Sequence, residues 1–167
     1  MSIEFVLEIA ILALVRLSTI TFVLLVSISC AFHGLAGSGK VIKVLPHYLD
    51  RQGRHALYPS LYDRDAYQAQ LRRNPEERST LRFDVQWKAK GEIAGPLKLR
   101  LELRCSKIAK PWVLEEPVKR QSSFSHWSIL KVAESEYHQL GELIAWKATL
   151  WDGSELLAEQ KSFLWQG

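Results

Sequence analysis

The chain has 167 residues, of which 47% are hydrophobic and 24% are charged, and its formal net charge is +4. This composition is typical of a folded domain with one terminal segment and excludes a disordered chain, and two cysteines are too few for a disulfide framework. The basic residues are spread along the sequence rather than clustered, so we expect no nucleic-acid partner.

The N-terminal part is predicted to be an export signal. Arg16 precedes an uncharged apolar run at residues 17–32, and the small residues of GLAGSG follow it. This order of positive, apolar and small residues is typical of a secretory signal peptide. Residues 1–37 are therefore predicted to be a signal peptide, cleaved after Ala36 or Gly37, or an N-terminal anchor helix. We expect the protein to be exported to the periplasm or the extracellular space.

Three alternatives for this segment stay open. Glu4 and Glu8 are acidic where a signal peptide carries positive charge, which favours a translation start near Val15. If the whole segment is retained, its apolar part is long enough to span a bilayer. Membrane contact is then expected only through this segment. Cys30, which follows a small residue, is a candidate for lipid modification.

The stretch HGLAGSGKV at residues 33–41 matches the pattern G-x-x-x-x-G-K through Gly34, Gly39 and Lys40. A working phosphate-binding loop needs Ser or Thr after the lysine to hold magnesium, and it needs a helix whose N-terminus faces the phosphates. Val41 follows the lysine instead, and the next residues are β-branched and end at a proline. We therefore interpret the match as the end of the signal and expect no nucleotide or other cofactor.

Residues 38–167 are predicted to form a β-sandwich domain with a helical insertion near residues 60–74. The segment VIKVL predicts the first strand. Ser60 is a candidate N-cap of the inserted helix, with Asp63 three residues later, and the pair Asn74-Pro75 predicts its end.

Two segments after this helix, TLRFDVQWKAK and LKLRLELRC, alternate strictly between apolar and polar residues. Such alternation predicts antiparallel strands that are buried on one face. Because the intervening GEIAGP has the glycine and proline of a turn, the two strands are predicted to form a hairpin. The inward residues are predicted to be Leu81, Phe83, Val85, Trp87, Ala89, Leu97, Leu99, Leu101, Leu103 and Cys105.

The remaining elements are less regular. KPWVLEEPVKR and HWSILKV predict two short strands, the first at a sheet edge because of its prolines. AESEYHQLG predicts a short helix. The segment LIAWKATLWDGSELLAEQKSFLW predicts a second hairpin with its turn at Asp152-Gly153, and its second strand either contains a bulge or lies at an edge. About seven strands in total predict an all-β fold, an antiparallel β-sandwich.

In architecture, residues 41–165 resemble the immunoglobulin and fibronectin type III superfold. The resemblance rests on the number of strands and on the final WKATLWDGSELLAEQKSFLW. The inserted helix departs from that plan, and Cys105 has no partner for the immunoglobulin disulfide. Members of the superfold mostly bind or scaffold, so the resemblance implies such a role without indicating a site.

No catalytic or metal site is predicted. The five histidines do not have the spacing of metal ligands. Cys105 lies on an inward face, where it is interpreted as a small hydrophobic residue rather than a nucleophile. The acidic pairs Asp63/Asp65 and Glu115/Glu116 are interpreted as a helix start and a solvent-facing pair.

Two groups of side chains are candidate binding residues. Trp87 and Trp146 are assigned to the core, but four other tryptophans are candidates for stacking on sugar rings or for anchoring a protein: Trp112, Trp127, Trp151 and Trp165. The second group lies in the excursion rich in tyrosine and arginine between the first two strands: Tyr58, Tyr62, Arg64 and Tyr67. For both groups the alternative is a purely structural role, in the core or as a lid over it.

These features together predict an exported, non-catalytic β-sandwich protein of the cell envelope that acts in protein interaction or scaffolding. The expected partner is an envelope protein or a polysaccharide. The alternative is a carbohydrate-binding module that uses exposed tryptophans. A third hypothesis is a hydrolase whose residues are distant in sequence, for example His126 or His138 with a carboxylate in a cleft.

Overall fold

The computed structural model describes residues 37–120 and 124–165, and most of them lie in strands. Within these ranges there are seven strands and two α-helices. The strands are β1 (Ser38–Asp50), β2 (Arg78–Lys90), β3 (Leu97–Cys105), β4 (Trp112–Pro117), β5 (His126–Lys131), β6 (Leu143–Asp152) and β7 (Glu155–Lys161), and the helices are α1 (Leu61–Arg73) and α2 (Glu134–Leu140). The predictions for residues 1–36, including a lipid-modified Cys30, lie outside the described residues.

The seven strands form two antiparallel sheets. Sheet A has the strand order β1-β2-β5, and sheet B has the order β4-β3-β6-β7. Buried side chains of both sheets belong to one hydrophobic cluster, so the sheets pack face to face. The prediction of a mostly β, two-sheet sandwich with an inserted helix is confirmed for the described residues.

The strict alternation in β2 and β3 determines the core. All ten side chains predicted to face inward are buried, and Phe83 and Leu103 are fully so. Burial of a large aliphatic or aromatic side chain stabilises a fold by about 1.5–3 kcal/mol. The two alternating strands therefore supply the central layer of the interior, one from each sheet.

The predicted hairpin between β2 and β3 is wrong. β2 pairs with β1 and β5 in sheet A, whereas β3 pairs with β4 and β6 in sheet B. The loop at residues 91–96 crosses from one sheet to the other, and the carboxylate of Asp152 accepts hydrogen bonds from the N–H groups of Ala94 and Gly95. Alternation determines which face of a strand is buried, but it does not determine which strand lies beside it.

The second predicted hairpin is confirmed. β6 and β7 pair around the turn at Gly153, whose φ of 55° lies in the left-handed region that glycine adopts without strain. The register shifts between Leu150 and Trp151, and β7 is the last strand of sheet B. The irregular pattern of β7 therefore has both predicted causes, a bulge and a position at the edge of the sheet. β4 also lies at an edge of sheet B, as its prolines predicted.

The inserted helix α1 begins and ends as the sequence predicted. The hydroxyl of Ser60 accepts a hydrogen bond from the Asp63 N–H at 3.1 Å, and the Asn74 N–H closes the last turn. On β1, His47 is buried although it lies opposite Arg82 on the outer face of sheet A. Residues of α1 line the same pocket as His47, so α1 covers this part of the outer face. The predicted short helix is confirmed as α2.

No helix in the described residues is both long enough and apolar enough to cross a membrane.

Candidate functional site

Among the residues that the structure describes, the densest group of exposed apolar side chains along the sequence lies where the chain enters α1. Leu57, Tyr58, Leu61 and Tyr62 are all exposed although they fall within six consecutive residues, and Tyr62 is 83% exposed. We call these four side chains the contact surface. We call residues 51–60, which include Leu57 and Tyr58 and precede α1, the contact loop. Large exposed apolar side chains in one place are typical of a protein interaction site.

Asp50, the last residue of β1, holds the start of the contact loop. One carboxylate oxygen accepts the N–H groups of Gln52 and Arg54 at 2.9 and 2.8 Å, and the other accepts the Tyr67 hydroxyl at 2.6 Å and the Arg54 Nε at 2.8 Å. Burial acts to raise the pKa of Asp50, but these hydrogen bonds outweigh it and the pKa lies below its ordinary value. The loop is therefore fixed by an ionised, fully bonded carboxylate.

Gln68 of α1 ties the helix, the loop and sheet A together. Its side-chain oxygen accepts the Tyr48 N–H at 2.8 Å. Its side-chain nitrogen donates to the carbonyl oxygens of Tyr48 and His55, both at 2.9 Å. Because Gln68 is buried, each of these bonds replaces water that the peptide groups would otherwise need. The contact surface thus rests on a rigid support.

A pair of histidines fastens the middle of the contact loop to sheet A. The rings of His47 and His55 lie 5.2 Å apart, and the His47 Nε2 is 3.8 Å from a carboxylate oxygen of Asp84. Burial lowers the pKa of both histidines, and the charges of Arg64 and Arg82 lower it further, while Asp84 acts in the opposite direction. Both rings are therefore neutral near pH 7.

We expect the contact loop to loosen as the pH falls. Since the folded-state pKa values of His47 and His55 lie below the ordinary value of 6.5, their contribution to stability is complete above about pH 6.5 and is lost as the pH falls below it. Hydrogen exchange at residues 51–60, corrected for intrinsic rates, should accelerate between about pH 7.5 and about pH 5.5. His55→Phe keeps an aromatic ring there and should reduce this acceleration, because only His47 then gains a proton. An equal acceleration in the variant would contradict the prediction.

The structure separates the four residues predicted in this excursion into exposed and supporting side chains. Tyr58 and Tyr62 belong to the contact surface. Arg64 forms an ion pair with Asp65 at 3.1 Å and lines a pocket of about 400 Å³ beside α1. Tyr67 is buried, and its hydroxyl donates to Asp50. Leu57 and Leu61 were not predicted, because Leu57 lies in the loop and Leu61 begins α1, so no helical or strand periodicity relates them to the two tyrosines.

The four candidate tryptophans lie on different surfaces. Trp112 is half-buried opposite Leu103 on the inner face of sheet B. Trp127 is 52% exposed on the outer face of sheet A. On the outer face of sheet B, Trp151 donates to the Thr149 hydroxyl, whereas Trp165 is buried with the Arg104 guanidinium 4.4 Å from its ring.

These positions do not bring the tryptophans together into one platform for a sugar. The two tryptophans assigned to the core face inward, but they differ in burial. Trp87 is fully buried, and Trp146 is half-buried against the core cluster.

One groove contains chemical groups that a hydrolase would need. It has a volume of about 530 Å³, lies between the ends of β4 and β5, and is lined by both Glu116 and His126. The hydroxyls of Ser125 and Ser128 in the same groove accept hydrogen bonds from Gln86 and Trp87. These two serines thus hold neighbouring side chains of β2 in place.

Cys105 is buried and Glu115 is exposed, as the sequence indicated. Burial raises the pKa of the Cys105 thiol to about 11, which disfavours the reactive thiolate. Glu115 lies at the surface between Lys98 and Arg100, at 3.0 and 3.2 Å. In residues 37–120 and 124–165, no group of three or more His, Cys, Asp or Glu side chains is arranged to hold a metal ion.

Comparison with known proteins gives no match of any kind: no family model matches the sequence, no curated protein resembles it significantly, and no solved structure resembles the fold significantly. The functional proposals therefore rest on the geometry of this chain.

Proposed function

We propose that this protein is an exported, non-catalytic module of the cell envelope that acts by binding another protein through the contact surface. The proposal rests on the exposure of Leu57, Tyr58, Leu61 and Tyr62. These side chains lie on the contact loop and the first turn of α1, and buried side chains hold the loop by hydrogen bonds. Tyrosine supplies a large contact area with few rotatable bonds, and it is enriched at the centres of protein interfaces.

The support of the contact surface favours binding rather than incidental exposure. Asp50 and Gln68 bond to the backbone of residues 52, 54 and 55, in the first half of the loop, so less further ordering is needed when a partner binds. Pre-organisation of this kind raises affinity because the entropy of ordering the loop has already been lost on folding.

Export is proposed from the sequence that precedes the sandwich. An arginine, an apolar run at residues 17–32 and a group of small residues have the order of a signal peptide. Cleavage would release the domain into the periplasm or the extracellular space. Retention of the segment, or lipid modification of Cys30, would tether the domain to a membrane.

We also infer that the sandwich is related in plan to the fibronectin type III side of the immunoglobulin superfold. The first, second and fifth strands form one sheet, and the fourth strand pairs with the third in the other sheet. In immunoglobulin constant domains the fourth strand instead joins the first sheet. This strand order supports an interaction role only by analogy, since a fold does not carry a site with it.

Site-specific photo-crosslinking tests the contact surface. A photoreactive phenylalanine analogue at position 62 should yield a discrete crosslinked protein in the envelope fraction of the source cells. The matched control has the analogue at position 163, because Phe163 is also highly exposed but lies after β7, outside the contact surface. The same products from both positions, or crosslinks to polysaccharide alone, would contradict the proposal.

A further inference from the structure

The outer face of sheet A carries a group of lysines at the end remote from α1. Lys40 and Lys43 lie on β1, and Lys88 and Lys90 lie on β2, with Lys40 directly opposite Lys88. We call these four side chains the lysine face. In residues 37–120 and 124–165, none of the four has a carboxylate within ion-pair distance. Like charges directly opposite each other destabilise a strand pair, so folding alone gives no reason for this arrangement.

The outer face of sheet B shows that the chain neutralises its charges elsewhere. There Lys98 pairs with Glu115 at 3.0 Å, and Lys147 pairs with Glu102 at 3.0 Å. The two carboxylates within the strands of sheet A already have arginine partners: Asp84 is bound by Arg82 at 2.6 Å, and Asp50, at the end of β1, is bound by Arg54 at 2.8 Å. Among the described residues, the lysine face therefore has no acidic partner that neutralises its charge.

Two large apolar side chains lie on the same face as the lysines. Trp127 and Ile129 of β5 lie opposite Gln86 and Asp84, on the outer side of sheet A, and both are about half exposed. A face that combines lysines with an exposed tryptophan has the chemistry of a membrane interface. The ammonium groups attract anionic headgroups, and indole rings prefer the headgroup level of a bilayer.

The chain enters the sandwich at this same end. Ser38, the first residue of β1, lies opposite Lys90. The 36 residues before the described part contain the predicted apolar leader, and Ser38 lies only eight positions after Cys30. Even a fully extended chain spans at most roughly 28 Å over that length. A leader that is retained, or anchored at Cys30, would hold the lysine face close to a bilayer.

We propose that the lysine face docks onto the surface of an anionic phospholipid bilayer, with Trp127 and Ile129 at the headgroup level. This inference does not rest on the protein-binding proposal, because it uses no residue of the contact surface. Docking would orient the domain and leave α1, which covers the other end of the same face, at the margin of the docked surface.

Quenching of Trp127 by brominated lipids tests this proposal in the full chain. The fluorescence contributed by Trp127 is taken as the difference between the unaltered protein and Trp127→Phe. It should be quenched in vesicles of phosphatidylcholine that contain about one third phosphatidylglycerol, and the quenching should disappear in high salt. In vesicles of phosphatidylcholine alone Trp127 should remain unquenched, even if the leader inserts.

A charge-matched pair of variants separates the lysine face from net charge. Lys40→Gln with Lys88→Gln should reduce the quenching of Trp127 to its level in neutral vesicles. Lys107 and Lys110 are exposed in the loop between β3 and β4, so Lys107→Gln with Lys110→Gln should leave the quenching unchanged. Quenching that is equal in neutral vesicles, or insensitive to Lys40 and Lys88, would overturn the proposal. Lysine-dependent binding of duplex DNA without quenching in anionic vesicles would also overturn it, in favour of a nucleic-acid surface.

Discussion

Replacing Arg78 by leucine is expected to lower the free energy of unfolding by about 3 kcal/mol. The Arg78 side chain is almost completely buried, and its guanidinium donates to both carboxylate oxygens of Glu142 at 2.7 and 2.9 Å. It also donates to the backbone carbonyl oxygens of Leu71 and Arg72 at the end of α1. Removal of one partner from a buried, fully bonded charge network costs about 3–5 kcal/mol, and the exposure of Glu142 places this case at the lower end.

The substitution should also remove the contact between Arg78 and the aromatic ring of Tyr48. The Arg78 guanidinium lies 4.2 Å from the centre of the Tyr48 ring, and burial raises the pKa of Tyr48 to about 12. Urea unfolding of Arg78→Leu should therefore show the full loss of about 3 kcal/mol in the free energy of unfolding. Glu142→Gln should lose only about 1 kcal/mol, because an amide oxygen and water can still accept from the arginine. Equal losses in the two variants would contradict this account of Arg78.

Replacing Asp152 by alanine is expected to lower the free energy of unfolding by about 2–3 kcal/mol. The buried carboxylate of Asp152 accepts the Ala94 N–H at 2.8 Å and the Gly95 N–H through its second oxygen. Those two residues lie in the loop that carries the chain from sheet A to sheet B. A hydrogen bond to a charged acceptor contributes about 1.5–3 kcal/mol, and the alanine variant loses both of these bonds at once.

Asp152→Asn separates the hydrogen bonds from the space that the side chain fills. The amide keeps one acceptor oxygen of nearly the same size, so we expect it to retain about half of the stabilisation. Hydrogen exchange at residues 91–96 should increase most in the alanine variant and less in the asparagine variant. If both variants unfold at the same urea concentration as the unaltered protein, Asp152 does not fasten the crossover.

The sequence was sufficient to predict which side chains form the core, but it could not indicate which strands pair. Alternation in β2 and β3 identified ten buried positions because the period of a strand is two. The loop between these strands has turn residues that serve a hairpin and a crossover equally well. The strands that pair with β3, and the Asp152 carboxylate that binds the loop, lie far along the chain. Local patterns do not contain contacts of this range.

The candidate site residues were also predictable only in part, because their burial depends on contacts between residues far apart in sequence. Tyr58 and Tyr62 could be proposed because tyrosines near arginines in a long excursion are typical of interfaces. Tyr67 looked equivalent in sequence but is buried, because the period of α1 turns it toward Asp50. The opposition of Lys40 and Lys88 became visible only with the register of β1 and β2.

The most direct test of the contact surface is the affinity of the protein for the partner captured by crosslinking at position 62. Tyr58→Ala with Tyr62→Ala should weaken binding by at least roughly thirtyfold, because central tyrosines contribute about 2 kcal/mol or more to an interface. Phe163→Ala with Leu164→Ala, which removes two exposed apolar side chains after β7, should change it by less than about threefold. Equal effects of the two double variants would show that the contact surface is not where the partner binds.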